Sequence, residues 1–255
     1  MEFSDKTIVL RVGGFRESDI WLRLLSPERG VFSAFAFGGG KSRRRFSGCL
    51  DLFNEVLFQV KKSRHGDYLA LQEGVLLHGP DRLRRDWRRM GMARNCACFV
   101  EAMPISPDNA AGAHALFADL LNSLEGTNTL SQFLPLFFRT RLLFEQGYAF
   151  NPDHCGRCGR PWAKDEAALL PLAAQAPLCR TCAAGGGSAS GPPGRGFILP
   201  AEAIKVLHRV VSSPLPAWDF ADCSLGAQQS CARAMDGFLR YNVGLYWENG
   251  RFRQG

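Results

Sequence analysis

Nothing in the 255 residues approaches the ~18 consecutive apolar positions of a membrane-spanning helix. The opening MEFSDKTIVLRVGG has acidic residues early and no long apolar stretch. It does not read as a secretory leader, and the expected compartment is the cytoplasm. The motifs of several enzyme classes are missing too. There is no Gly-x-Ser-x-Gly elbow and no His-Glu-x-x-His. FGGGKS ends in Gly-Lys-Ser, but Phe35 stands where a phosphate loop would need its first glycine. His65, His78, His114 and His208 have no carboxylate at local spacing, and the acidic residues are dispersed. A nuclease would gather carboxylates for magnesium. The expectation is therefore a protein that is not an enzyme.

Hydrophobic residues make up 46% of the chain, enough for a sizeable core. The net charge is +7, divided as +3 over residues 1–80, +1 over 81–150 and +3 over 151–255. That modest, spread excess is compatible with a polyanionic partner and excludes a polybasic tail.

The nine cysteines are odd in number, which argues against a disulfide framework. Four fall in two Cys-x-x-Cys pairs, Cys155/Cys158 and Cys179/Cys182, twenty residues apart. Each pair sets two thiolates on one tight turn, and two such knuckles offer four soft ligands in a tetrahedral array. A thioredoxin-like redox pair needs a single Cys-x-x-Cys beside a βαβ pattern, which is absent. An iron–sulfur cluster uses the same ligands, but paired knuckles favour zinc. Four cysteine ligands leave no open position, so the zinc is expected to be structural. His154 is expected to be a bystander or a donor to a ligand. Cys49, Cys96, Cys98, Cys223 and Cys231 read as small buried apolar residues.

Residues 1–80 hold five short apolar or alternating runs separated by Gly-Gly, Ser-Pro-Glu-Arg-Gly, Gly-Gly-Gly and His-Gly-Asp. This spacing predicts a small closed β-barrel. Residues 81–150 change to helical periodicity, with Leu116, Leu120, Leu121 and Leu124 in one stripe that Phe133, Phe137, Phe138, Leu142 and Phe144 continue. Gly126 and Gly147 are expected to end helices in the left-handed conformation, and Pro135 to sit in a first turn or a kink. Residues 151–185 carry the cysteine knuckles, residues 186–196 form a Gly/Ser/Pro loop, and residues 197–255 return to helices. The fold class is α+β and multidomain.

Between Glu28 and Asp51 there is no acidic residue. Within that stretch FGGGKSRRRF places Lys41, Arg43, Arg44 and Arg45 after three glycines that permit close backbone approach. Two readings stand side by side: a solvated loop over core phenylalanines, or a phosphate-binding turn in which Phe35, Phe37 or Phe46 stacks on bases. A second basic set is Arg82, Arg84, Arg85, Arg88, Arg89 and Arg94. Arg82, Arg85 and Arg89 would share a helical face, which suits a solvated exterior as well as it suits nucleic acid.

The chain resembles the bacterial RecO family of recombinational DNA-repair mediators. Glu17-Ser18-Asp19 near the first hairpin, the Gly-rich basic turn, Gly48-x-Leu50-x-x-Phe53, the run LFEQGYAFNPDHCGRCGR and the later GFILPAEAIKVLHRVV carry the likeness. It covers nearly the whole chain and is weakest over residues 95–130 and 183–196. It implies an oligonucleotide-binding (OB) barrel at residues 1–80 and a helical domain, residues 81–150 and 197–255, into which the zinc finger is inserted. It implies binding of single- and double-stranded DNA, strand annealing in the RecFOR pathway, and a place at the bacterial nucleoid. The partners implied are RecR, the C-terminal tail of single-stranded-DNA-binding protein and, indirectly, RecA. Lys41, Arg43, Arg44 and Arg45 carry over as DNA contacts, and Gly48, Leu50 and Phe53 as barrel packing. The alternative is a zinc-stabilised adaptor whose helical groove, with Phe137, Arg139 and Arg141, binds the acidic tail.

Overall fold

The computed structural model describes residues 2–126, 130–148, 151–163, 165–172, 176–185 and 196–254. It divides into two compact units, residues 1–127 and 128–255. The two helices after the barrel thus belong with the barrel, and the cysteine knuckles with the later helices.

In the first unit, strands β1 (Glu2–Gly14), β2 (Ile20–Ser26), β3 (Gly30–Ala36), β4 (Glu55–Lys62) and β5 (Leu69–His78) close in the order β1-β2-β3-β5-β4, that of an OB barrel. The period-two alternation explains which way the strands face. Leu22 and Leu24 on β2, Ala34 and Ala36 on β3, and Val56, Phe58 and Val60 on β4 all enter the interior. β1 serves two neighbours, pairing with β4 from Glu2 to Ile8 and with β2 from Ile8 to Gly14. A bulge between Val9 and Arg11 lets it bend from one to the other. β4 begins only at Glu55, because residues 50–54 form turns that end on Asn54. Asn54 is held by its Nδ2 donating to the Gly48 carbonyl at 2.5 Å.

Phe53 adopts φ 66°, a costly left-handed backbone for a bulky residue, and is fully buried. Its N–H donates to the Val9 carbonyl at 2.8 Å, and its ring meets Phe117 with centroids 6.0 Å apart. Phe117 lies on α2 (Ala110–Glu125), so Phe53 links the barrel to that helix. α1 (Trp87–Ala102) starts at Asp86, whose carboxylate accepts the N–H groups of Arg88 and Arg89. Gly126 ends α2 with φ −65°, so it is not the left-handed stop expected there, whereas Gly147 has φ 96°.

In the second unit α3 (Leu134–Glu145) packs with α5 (Ala201–Ser212) and α6 (Leu225–Val243). Pro135 occupies the first turn of α3, where its missing N–H costs nothing. Between these helices lie β6 (Ala168–Pro171), the short α4 (Arg180–Ala184) and β7 (Gly196–Leu199); β6 and β7 pair antiparallel. A Cβ on Gly237 of α6 would lie 2.2 Å from the Phe197 ring, so glycine is needed for β7 to approach α6. Gly244 stops α6 at φ 70°, and the hairpin β8 (Leu245–Glu248) and β9 (Arg251–Gln254) follows. The loop expected over 186–196 lies outside the described residues, except Gly196, which opens β7.

Phe53→Ala removes the buried ring between barrel and α2, and its expected cost is about 3 kcal/mol of unfolding free energy. Urea unfolding against wild type checks this; a loss below about 1 kcal/mol would remove Phe53 from its linking role.

Candidate nucleic-acid interface and metal centre

The acid-free turn lies between β3 and β4. Gly38 takes φ 68° and donates its N–H to Asp19 Oδ1 at 2.7 Å, while the Gly40 N–H reaches the Ser18 carbonyl at 2.9 Å. A Cβ on Gly39 would lie 2.9 Å from that of Ala36. The close approach these glycines permit is therefore to the protein's own β1–β2 loop and barrel, not to a ligand. The effect is to fix the cationic segment that follows. Lys41, Arg43, Arg44 and Arg45 are all exposed. Lys41 Nζ stands 3.9 Å from Glu17, a distant pair in full solvent. Arg45 turns back, donating to the Phe37 carbonyl at 2.7 Å and lying over Phe46. Arg43 and Arg44 have no side-chain partner among the described residues.

The flanking phenylalanines divide. Phe46 is buried in the barrel core, which removes it as a base-stacking candidate. Phe35 and Phe37 are half-buried and stack 6.0 Å apart, joined by two exposed rings, Phe15 and Tyr68. These last two escaped the sequence reading. The available signal was an aromatic directly beside a turn, in Gly13-Gly14-Phe15 and in Gly66-Asp67-Tyr68.

Half of the second basic set is engaged internally. Arg84 donates to Asn54 Oδ1 and the Leu52 carbonyl, and Arg94 to the Leu10 carbonyl at 3.0 Å. Arg89 donates to the Leu124 carbonyl at 2.8 Å and to that of Gly126, closing the end of α2. Because α1 begins at Trp87, Arg82 and Arg85 precede it and share no helical face with Arg89. Arg82, Arg85 and Arg88 are left outside, beside Trp87, which is 78% exposed.

The positions expected to take an acidic tail have other surroundings. Phe137 is fully buried against Phe220, with ring centroids 5.0 Å apart, and cannot meet a partner there. Arg141 donates to the carbonyls of Val211 at 2.7 Å and Ser213 at 3.1 Å, and pairs with Glu145 at 2.8 Å. Its charge serves the C-terminus of α5. Arg139 is half-buried and lies 5.2 Å over the Phe252 ring.

The four paired cysteines do meet. The Sγ atoms of Cys155, Cys158, Cys179 and Cys182 all lie within 4.8 Å of one another. A Cβ on Gly156 would fall 2.2 Å from that of Ala176, and Gly159 turns the first knuckle at φ 70°. The second knuckle is the start of α4, where Cys179 Sγ accepts the Cys182 N–H at 3.4 Å. The Cys179 N–H in turn reaches Cys155 Sγ at 3.3 Å, and Arg157 ties the knuckles by donating to the Cys182 carbonyl at 2.8 Å. Leu178 exchanges two backbone hydrogen bonds with Leu169 of β6, joining the cluster to the β6–β7 pair.

Charge makes these four sulfurs a site for a cation. Burial pushes the Cys155 thiol up, but amides of Cys179, Cys158 and Arg157 and the Cys158 side chain overturn this and bring it down to about 6. Cys182 is pushed up to about 12, chiefly by its hydrogen bond to Cys179. Thiolates this close repel, so some sulfurs keep protons that a metal ion would displace. The remaining five cysteines are buried, as small apolar residues should be. His154 Nε2 is 3.3 Å from Asn151 and stands outside the sulfur set. His208 finds Asp153 at 2.5 Å, a carboxylate distant in sequence, and the two line a cleft of about 460 Å³ with Trp162, Lys205 and Arg209.

A family model described as "Recombination protein O N terminal" matches residues 1–79, and one described as "Recombination protein O C terminal" matches residues 84–251. Proteins named "DNA repair protein RecO" are similar over their whole length. That of Oleidesulfovibrio alaskensis is 45% identical over 254 residues, covering 100% of both chains. That of Nitratidesulfovibrio vulgaris is 46% identical over 257 residues with the same coverage, and that of Lawsonia intracellularis 35% over 255 residues with 99% of each chain covered.

Cys179→Ser is expected to lower bound metal below one ion per chain, measured by elemental analysis. It should also speed amide hydrogen exchange across residues 151–163 and 176–185 while leaving residues 2–126 unchanged. Equal exchange in both proteins would show that the cluster does not hold this region together.

Proposed function

Since the chain belongs to the RecO family of DNA repair proteins, we propose that its barrel binds single- and double-stranded DNA through Lys41, Arg43, Arg44 and Arg45 and anneals complementary strands. The observation that carries this reading is the exposed turn on a closed barrel, with two arginines, Arg43 and Arg44, that have no side-chain partner among the described residues, in a stretch with no acidic residue from 29 to 50. Cations there neutralise phosphates and release condensed counterions, which favours binding of either DNA form. Held near two strands at once, they reduce the repulsion that slows pairing. No covalent step is needed, so the activity is that of a mediator and not of an enzyme. It belongs in the bacterial cytoplasm, at the nucleoid.

The partners in this reading are RecR, the C-terminal tail of single-stranded-DNA-binding protein and, through them, RecA. Arg139, whose Nε donates to the Pro135 carbonyl at 3.2 Å and whose guanidinium lies over the Phe252 ring, is the position we retain for the tail's carboxylates, since Phe137 is buried. The metal is proposed to be zinc in a structural role. Four thiolates at Zn–S ~2.3 Å place sulfurs about 3.8 Å apart, near the 4.0 Å between Cys158 and Cys179. It would neutralise the clustered thiolates and anchor residues 151–185 within the second unit. Zinc removal should therefore leave barrel-based DNA binding largely intact.

The test uses Arg43→Ala with Arg44→Ala, two side chains with no hydrogen bond or ion pair among the described residues. Affinity for single-stranded DNA should fall at low salt, and the slope of log K against log salt should shrink by about 1.4, from about 0.7 per phosphate contact. Annealing of complementary strands should slow in parallel. An unchanged salt slope would remove the turn from the DNA site.

A further inference from the structure

Four aromatic rings meet on the outside of the barrel and belong to no core. Phe15 follows β1, Phe35 lies one residue before the end of β3, Phe37 begins the glycine turn, and Tyr68 precedes β5. Phe35 lies 5.2 Å from Phe15, 6.0 Å from Phe37 and 6.0 Å from Tyr68, and Phe37 lies 5.6 Å from Tyr68. The alternation of β3 puts Ala34 and Ala36 inside and Phe35 outside, opposite Trp21 of β2. Phe15 is 52% exposed and Tyr68 43%, an unfavourable placement for large rings unless something covers them.

The cluster is held in place from both sides. The Phe15 N–H donates to the Asp19 carbonyl at 2.9 Å, and Asp19 anchors Gly38. On the other side Ser63 Oγ accepts the Asp67 N–H at 3.0 Å, and the Ser63 N–H reaches the Tyr68 carbonyl, also at 3.0 Å. Arg45 ties the basic turn to the cluster through the Phe37 carbonyl, and Arg16 lies 5.3 Å over the Phe15 ring. Lys62 and Arg64 stand at the β4–β5 loop. Flat exposed rings bordered by cations, between the first and last loops of a five-stranded barrel, are complementary to unpaired nucleobases on an anionic phosphate backbone.

We propose that Phe15 and Tyr68, backed by Phe35 and Phe37, form a stacking subsite for unpaired bases that lets the barrel tell single-stranded DNA from duplex. The proposal rests on the DNA-binding reading above and adds a recognition element to it. Phosphate contacts are common to both DNA forms, but bases paired and stacked in a duplex do not present their faces. The subsite therefore adds affinity only for the reactant strands of annealing. Once the strands pair, that affinity is lost, which favours release of the duplex product.

The experiment measures fluorescence anisotropy of full-length, metal-loaded protein with labelled oligo-dT, an abasic strand of equal length and a blunt duplex. Wild type should bind oligo-dT about tenfold or more tightly than the abasic strand. Phe15→Ala with Tyr68→Ala should bring oligo-dT down to the abasic level, leaving abasic and duplex binding and the salt slope unchanged. Tyr68→Phe, which keeps the ring, should retain the preference. Equal wild-type affinity for oligo-dT and the abasic strand overturns the subsite without needing a variant. Equal loss on all three DNAs in the double alanine variant overturns it as well. If wild type binds none of the three, the DNA-binding reading fails and the subsite with it; if it binds all three equally, only the subsite fails.

Discussion

The bend in β1 is the constraint on which the first unit depends. One strand must pair with β4 through its first half and with β2 through its second, and the barrel closes only because it changes partner at Ile8. The bulge that allows this is also used for docking. The Leu10 carbonyl at the bulge accepts Arg94 of α1, and Arg11 beyond it pairs with Glu101 at 2.8 Å. Next to the same bulge, Val9 exchanges backbone hydrogen bonds with the Phe53–Asn54 turn. Barrel closure, the seat of α1 and the plug beneath α2 are thus one arrangement, which explains why α1 and α2 fall in the same compact unit as the barrel.

Closure also decides where the candidate nucleic-acid site lies. A five-stranded barrel is filled by side chains of moderate size, and Phe46 and Phe58 already occupy much of its interior. Alternation sends the odd residues of β3 outward, so Phe35 is left on the surface, where Phe15, Phe37 and Tyr68 gather around it. The glycine turn packs on the barrel end and on the β1–β2 loop. The cations that follow are thereby held beside the rings on a fixed base, at a lower entropic cost than a free loop would carry.

Much of the basic excess does not face solvent as free charge. Arg89 and Arg141 satisfy carbonyls at helix ends, Arg94 serves the bulge, and Arg209 bridges to Asp222 and to the Asp219 carbonyl. A guanidinium with its several donors suits such orphan acceptors better than a lysine would. Net charge therefore overstates the positive surface offered to a polyanion. In the second unit the four cysteine sulfurs lie within 4.8 Å of one another, the described residues of 151–185 bury few apolar side chains, and a metal held there would supply the crosslink a small segment needs.

Features set by neighbours along the chain were legible in the sequence. Strand alternation gave five strands and a barrel, Cys-x-x-Cys spacing gave two knuckles, and the stretch without acid marked the cationic turn. Pro135 also went where its missing N–H required. These follow from backbone geometry over a few residues, which local spacing encodes directly. Only the tertiary structure decided which aromatic faces inward, because burial depends on what lies opposite from distant parts of the chain. Phe46 is covered by β4 and lost to the surface, while Phe15 and Tyr68, 53 residues apart, are brought to one ring cluster by the pairing of β3 with β5. Phe137 and Arg141 lost their expected contacts to Phe220 and to the end of α5 for the same reason. A side chain's type shows what it can bond, but its partner is whichever group the closed fold leaves unsatisfied beside it.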